Sequence, residues 1–172
     1  MSSSNIVDHT TPLYRAYHEA GHCAAAFLTG ANVDSIEVFP EGGGVCRVLR
    51  ADDAAQRQTI AAAGYAIEFI LHRSGRLAPQ GPKTPDKWFI DFSMGNARDD
   101  KVSFFGGDFT EGDGAWPEEK DREFMMFGWR EVSTLLASWM PAIEMLANRL
   151  AADSRVTGLE ARAIFEQHGL PK

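Results

Sequence analysis

The sequence is poor in cysteine. Only Cys23 and Cys46 occur, and no Cys-x-x-Cys pair is formed. A reducing compartment would keep both as thiols. Cys23 directly follows His22, about 100° away on a helix, and reads as a small buried thiol. No apolar run approaches the ~20 residues of a membrane span. The N-terminal Met-Ser-Ser-Ser-Asn has neither the basic start nor the apolar stretch of a signal peptide. No cluster of Lys or Arg appears, and the formal net charge is -7. A nucleic-acid footprint needs a basic face, and anionic membranes repel such a chain. The expectations are therefore no nucleic acid, no membrane and a cytoplasmic location.

What is present is an ordinary globular balance, 44% hydrophobic and 24% charged over 172 residues. A chain of that length buries a core without help from a metal. A bound metal would then serve chemistry. The expected organisation is a flexible N-terminus at 1–12 and one domain over 13–172. Leu13 to Leu28 carries apolar residues at three and four, with Pro12 suited to a first turn and Gly30 to a stop. Ser35–Pro40 and Val45–Leu49, around the glycines at 42–44, read as a β-hairpin. Asp52 and Asp53 are cap candidates for a helix carrying Ile60, Ala63, Ile67 and Ile70. Residues 75–97 read as a long loop around a Trp88–Phe92 apolar island. A short helix is expected at Asp99–Phe105 and a second loop at Gly106–Trp116. A helical pattern runs over 117–150 with a break at Pro141. Thr157-Gly-Leu-Glu160 is a capping box for a last helix. The fold class is mostly α (α+β), with one small hairpin after the first helix.

The chemistry sits in Tyr17-His-Glu-Ala-Gly-His-Cys23. On a helix, His18 and His22 share one face a turn apart, so both can reach one zinc ion. Glu19 can lean over the open position and accept a proton from bound water. A catalytic zinc needs a third protein ligand. No histidine stands six residues after His22, where Leu28 is found. The candidates are Glu68, alone in an apolar helix, the pair Asp99 and Asp100, or a distant His72, His168 or His9. Glu68 also fits a role behind a ligating histidine, or an exposed pair with His72. Asp99 and Asp100 also suit a helix cap. Gly81-Pro-Lys-Thr84 lacks the order of a phosphate loop, and Gly112-Asp-Gly114 lacks calcium-loop spacing.

Ala16-Tyr-His-Glu-Ala-Gly-His22 resembles the zinc helix of FtsH-type metallopeptidase domains. Further segments resemble that family in the same order. They are Ser35–Pro40 with its glycines, Ala63-Gly-Tyr-Ala-Ile-Glu68, Gly95-Asn-Ala-Arg-Asp99, Leu135–Leu150 and Val156-Thr-Gly-Leu-Glu160. The resemblance implies a zincin-like helical domain holding Zn2+ through His18, His22 and an aspartate. It implies Glu19 as catalytic base and Glu68 near the site. An ungapped alignment from Gly95 makes the third ligand Asp99, the preferred position. Matching the family's Asn-Asp pair to Asp99-Asp100 makes it Asp100. The family couples this domain to a membrane anchor and an ATP-driven motor, and neither pattern occurs in these residues. The implied activity is a zinc metallo-endopeptidase acting on unfolded or flexible protein segments. An ATPase supplied in trans and an oligomer are compatible partners. The competing readings are a zinc-binding partner-docking module and a narrow-specificity, repressor-cleaving peptidase.

Overall fold

The computed structural model describes residues 6–51, 53–78, 86–107 and 118–171. The protein is mostly helical, with one small antiparallel sheet. Helix α1 (Pro12–Leu28) is the central element. Pro at its first turn needs no hydrogen-bonding partner for a missing N–H. Alanine and glycine occupy much of its surface, so neighbours approach closely on several sides. Strands β2 (Asn32–Val38) and β3 (Gly44–Arg50) form the hairpin the sequence predicts. A third strand, β5 (Arg155–Thr157), pairs antiparallel with β2, giving the order β3-β2-β5. The sheet thus exceeds the expected hairpin. Three residues are too short to carry a readable alternation.

Helices α2 (Ala54–Ala61) and α3 (Ala63–Arg73) follow the hairpin. Asp53 caps α2 by accepting from the Gln56 amide, and Asp52 lies outside the described residues. Helix α3 crosses α1 at glycine. A Cβ on Gly21 would stand 2.8 Å from the Ala63 carbonyl oxygen. Only glycine allows that approach without displacing backbone.

The structure departs from two expectations. Val7–Asp8, placed by the sequence in a flexible N-terminus, forms β1 and pairs in parallel with β4 (Leu77–Ala78). Val7 and Leu77 are both fully buried, which anchors both segments. The island at Trp88–Phe92 is not loop but part of α4 (Asp86–Asn96). Its helix is held by packing rather than by its own pattern. Phe89 stacks on His72 with ring centroids 4.3 Å apart, and on Tyr65 at 6.0 Å. Helix α5 (Arg98–Phe104) follows directly, close to the expected short helix. The Gly81–Thr84 and Gly112–Gly114 segments, and most of the Gly106–Trp116 loop, lie outside the described residues.

The expected 117–150 helix is divided into α6 (Glu118–Phe127), a π-helical turn (Gly128–Val132), α7 (Ser133–Ala137) and α8 (Met140–Asp153). Pro141 sits in the first turn of α8, where it begins a helix instead of kinking one. The π turn places Gly128 against Tyr65, 2.6 Å from where a Cβ would stand. Helix α9 (Gly158–Gln167) opens on the predicted capping box. The Thr157 hydroxyl accepts from the Glu160 amide, and Glu160 accepts from the Thr157 amide at 2.9 Å.

Candidate metal centre

Helical periodicity places His18 and His22 on the same face of α1, with ring centroids 4.8 Å apart. Each ring is fixed through Nδ1. His22 Nδ1 lies 2.7 Å from the Ile60 carbonyl oxygen on α2. A carbonyl only accepts, so His22 carries its proton on Nδ1 and presents Nε2 to the cavity. His18 Nδ1 lies 2.8 Å from Glu68 Oε1 on α3. Glu68 is 1% exposed and meets His18 on its Nδ1 side.

Asp100, on α5, faces both free nitrogens. Its Oδ2 is 3.1 Å from His18 Nε2 and its Oδ1 is 3.3 Å from His22 Nε2. The alignment preferred Asp99. The structure instead turns Asp99 to the exposed rim and Asp100 to the histidines, because neighbouring helical residues point about 100° apart. Glu68 is not among the converging donors either. His72 is occupied by Asp86 at 2.8 Å and His168 by its own helix at Ile164, while His9 packs edge-on against the stacked Trp88 and Phe92.

The donor set fits a zinc ion. His18, His22 and Asp100 each offer an atom within 4.8 Å of the others. With Nδ1 of His22 committed to a carbonyl, its neutral Nε2 lone pair points at a carboxylate. Asp100 Oδ2 is buried without a well-formed hydrogen bond. Lone pairs converging in this way call for a cation or for extra protons. Ligands about 2.0–2.1 Å from a tetrahedral zinc lie roughly 3.3 Å apart, near the separations found here.

Without a metal, protons take that place. Burial disfavours the charged imidazoles, but Asp100 outweighs it at His22, and Asp100 with Glu68 outweighs it at His18. His18 is held well above the ordinary histidine value and His22 is raised to about 9. Burial would raise Asp100, and the two imidazoles overcome it, holding this carboxyl well below its usual range.

Glu19 is 7% exposed and adjoins the cluster. Burial raises its carboxyl above the usual range, partly offset by the two histidines and the Cys46 amide. Strand β3 passes directly over it. A Cβ on Gly44 would stand 2.8 Å from Glu19 Oε1, so the last glycine of the turn makes room for this carboxylate. Gly64 does the same for His18, whose ring would lie 2.4 Å from an added Cβ.

The cluster opens into a cavity of about 740 Å³ bounded by α1, β3, α2, α4 and α5. Tyr14, Arg15, Asn96 and Ser103 also line it, none of them singled out by the motif. Tyr14 and Arg15 precede His18 by four and three residues, so helical spacing carried a signal for both. Burial first, then the Glu68 charge, pushes the Tyr14 phenol far above its usual pKa.

Residues 2–71 match the family model described as Peptidase M50B-like, which supports a metallopeptidase-family domain. The match covers less than half of the chain. It takes in His18, Glu19, His22 and Glu68 and ends before Asp99 and Asp100. No curated protein matches the chain. Among the described residues, no helix is long and apolar enough to cross a membrane.

Proposed function

We propose that this protein is a zinc-dependent metallo-endopeptidase of the FtsH-like kind, with His18, His22 and Asp100 as ligands. The observation that carries this reading is the convergence of His18 Nε2, His22 Nε2 and an Asp100 oxygen within 4.8 Å beside the buried Glu19. Zinc in such a site lowers the pKa of bound water to about 7 and polarises a carbonyl.

The residues of the chain do the rest. Glu68 and the Ile60 carbonyl hold the two imidazoles by Nδ1, which keeps both Nε2 atoms aimed at one point. Glu19 takes the proton of the attacking water on a carboxylate oxygen and passes it to the leaving amine. Among the described residues β3 is an edge strand, and its residues 44–46 line the cavity. An extended peptide can add alongside it through main-chain hydrogen bonds, which favours unfolded or flexible segments as substrates.

The test is cleavage of casein by purified protein. Activity abolished by 1,10-phenanthroline, restored by zinc and missing in Glu19→Gln supports the proposal. Equal cleavage by Glu19→Gln contradicts it.

A further inference from the structure

Five arginines among the described residues pair with a carboxylate. Arg76 pairs with Glu144, Arg149 with Asp153, Arg162 with Glu166, and Arg47 and Arg155 share Glu37. Acidic residues outnumber basic ones, 24 to 17, so partners are plentiful. Arg15 differs in where it lies. It lines the cavity of the metal centre, and among the described residues it has no ion pair or hydrogen bond. Its Nε is buried with no acceptor. A buried guanidinium N–H left unmatched is costly, and a carboxylate is the acceptor it fits best.

Position gives that unmatched donor a meaning. Arg15 precedes His18 by three residues and Glu19 by four, which places it on the same face of α1 one turn toward the N-terminus. The acids nearest the centre are already engaged. Asp100 faces the histidines, Glu68 holds His18, and Glu19 is buried under β3. Asp99, on α5, also lines the cavity, and among the described residues no ion pair joins it to Arg15. Arg57 also lines the cavity, but its Nε donates to the Ser103 carbonyl at 3.1 Å, which leaves only its terminal nitrogens. Arg15 alone of the two keeps Nε and Nη together for side-on, bidentate contact.

We propose that Arg15 is a specificity-determining residue that binds a carboxylate of the substrate to one side of the scissile bond. The inference rests on the peptidase reading above. The carboxylate is an Asp or Glu side chain or the free C-terminus of a peptide. Both present the same planar pair of oxygens.

The test uses zinc-loaded Glu19→Gln protein and matched fluorescent peptides: neutral, acidic on one side, acidic on the other, lysine-substituted, and short peptides ending in acid or amide. Fluorescence anisotropy reads Kd. A carboxylate on one side tightens binding by about tenfold over the neutral peptide. Arg15→Gln removes that gain, Arg15→Glu turns the preference toward lysine, and Arg57→Gln keeps most of it. Preference for internal acids identifies a side chain as the source, and preference for acid over amide ends identifies the C-terminus. In the active enzyme, Arg15→Gln raises KM for carboxylate peptides and leaves kcat near its starting value. Equal Kd for acidic and neutral peptides, with cleavage of both, overturns the Arg15 assignment and leaves the peptidase reading standing. A uniform fall in kcat on every peptide, with Kd unmoved, also overturns it, since Arg15 would then act in the transition state. Failure of any peptide to bind or be cut overturns the peptidase reading and this inference with it. Unchanged zinc content and melting temperature in the Arg15 variants exclude misfolding as the cause.

Discussion

The two walls of the candidate metal centre are built by opposite means. On the α1–α3 side, nothing is left to side-chain adjustment. Glycines at 21, 44 and 64 bring helix against helix and strand against carboxylate, and each added Cβ would meet an atom at 2.8 Å or less. This wall supplies both histidines, Glu19 and Glu68. On the other side, α4 and α5 supply only Asp100. That wall is held by aromatic stacking and by one buried cation. Lys101 is 2% exposed and donates to the Met94 carbonyl at 3.0 Å and to Asp121 at 2.7 Å. It follows Asp100 directly, so the same short helix aims one residue at the metal centre and the next at an internal anchor. The rigid wall sets the placement of the two histidines. The anchored wall closes the site.

The largest effect is expected where the rigid wall is overfilled. Gly64→Val drives a branched side chain into the His18 ring, and overpacking of this kind costs about 1–3 kcal/mol. Zinc binding should be lost outright. Gly95→Ala, where an added Cβ meets nothing within 4 Å, should bind zinc normally and melt no lower. A Gly64→Val protein with full zinc content would remove the distinction between the walls.

A smaller effect is expected on the anchored side. Lys101→Met leaves the Met94 carbonyl and Asp121 without their cation, loosening α5. Zinc affinity should fall roughly 10- to 100-fold, the range seen when supports behind ligands are removed. Because the histidines stay in place, excess zinc should restore occupancy. Calorimetric titration of the two proteins checks this.

The smallest effect sharpens the electrostatic side. In metal-free protein both histidines titrate above their ordinary value, His22 at about 9, so they are charged at pH 7. Zinc needs neutral imidazole, so uptake at pH 7 must release protons. Calorimetry in two buffers of different ionisation enthalpy should find about one to two protons released, falling as pH passes 9. Uptake with no buffer dependence at pH 7 would mean that Asp100 does not hold the histidines protonated.

The contrast also explains what the sequence made legible. His18, Glu19 and His22 lie within one turn and a half of one helix, so their spacing alone places them together. Helix α1, the hairpin and the Thr157 capping box were readable for the same reason, since each is specified by neighbours in the chain. Asp100 reaches the histidines from more than seventy residues away, and one residue of helical phase separates it from Asp99. No local pattern resolves such a choice. Helix α4 was mistaken for loop because its aromatic residues answer to Tyr65 and His72, which lie elsewhere in the sequence. Strands of two or three residues, such as β1, β4 and β5, are fixed by partners rather than by pattern. Arg15 was within reach of helical spacing, but its meaning depends on having no partner, which only the folded chain reveals.

The central claim is the three-residue centre spanning both walls. Its most direct measurement is zinc content by elemental analysis of wild type, Asp99→Ala, Asp100→Ala and His22→Ala, purified in parallel without chelators. About one zinc per chain is expected in wild type and Asp99→Ala, with loss in His22→Ala and Asp100→Ala. Full occupancy in Asp100→Ala with loss in Asp99→Ala would contradict this assignment, and absence of zinc from every protein, even after zinc is added, would contradict the metal centre itself.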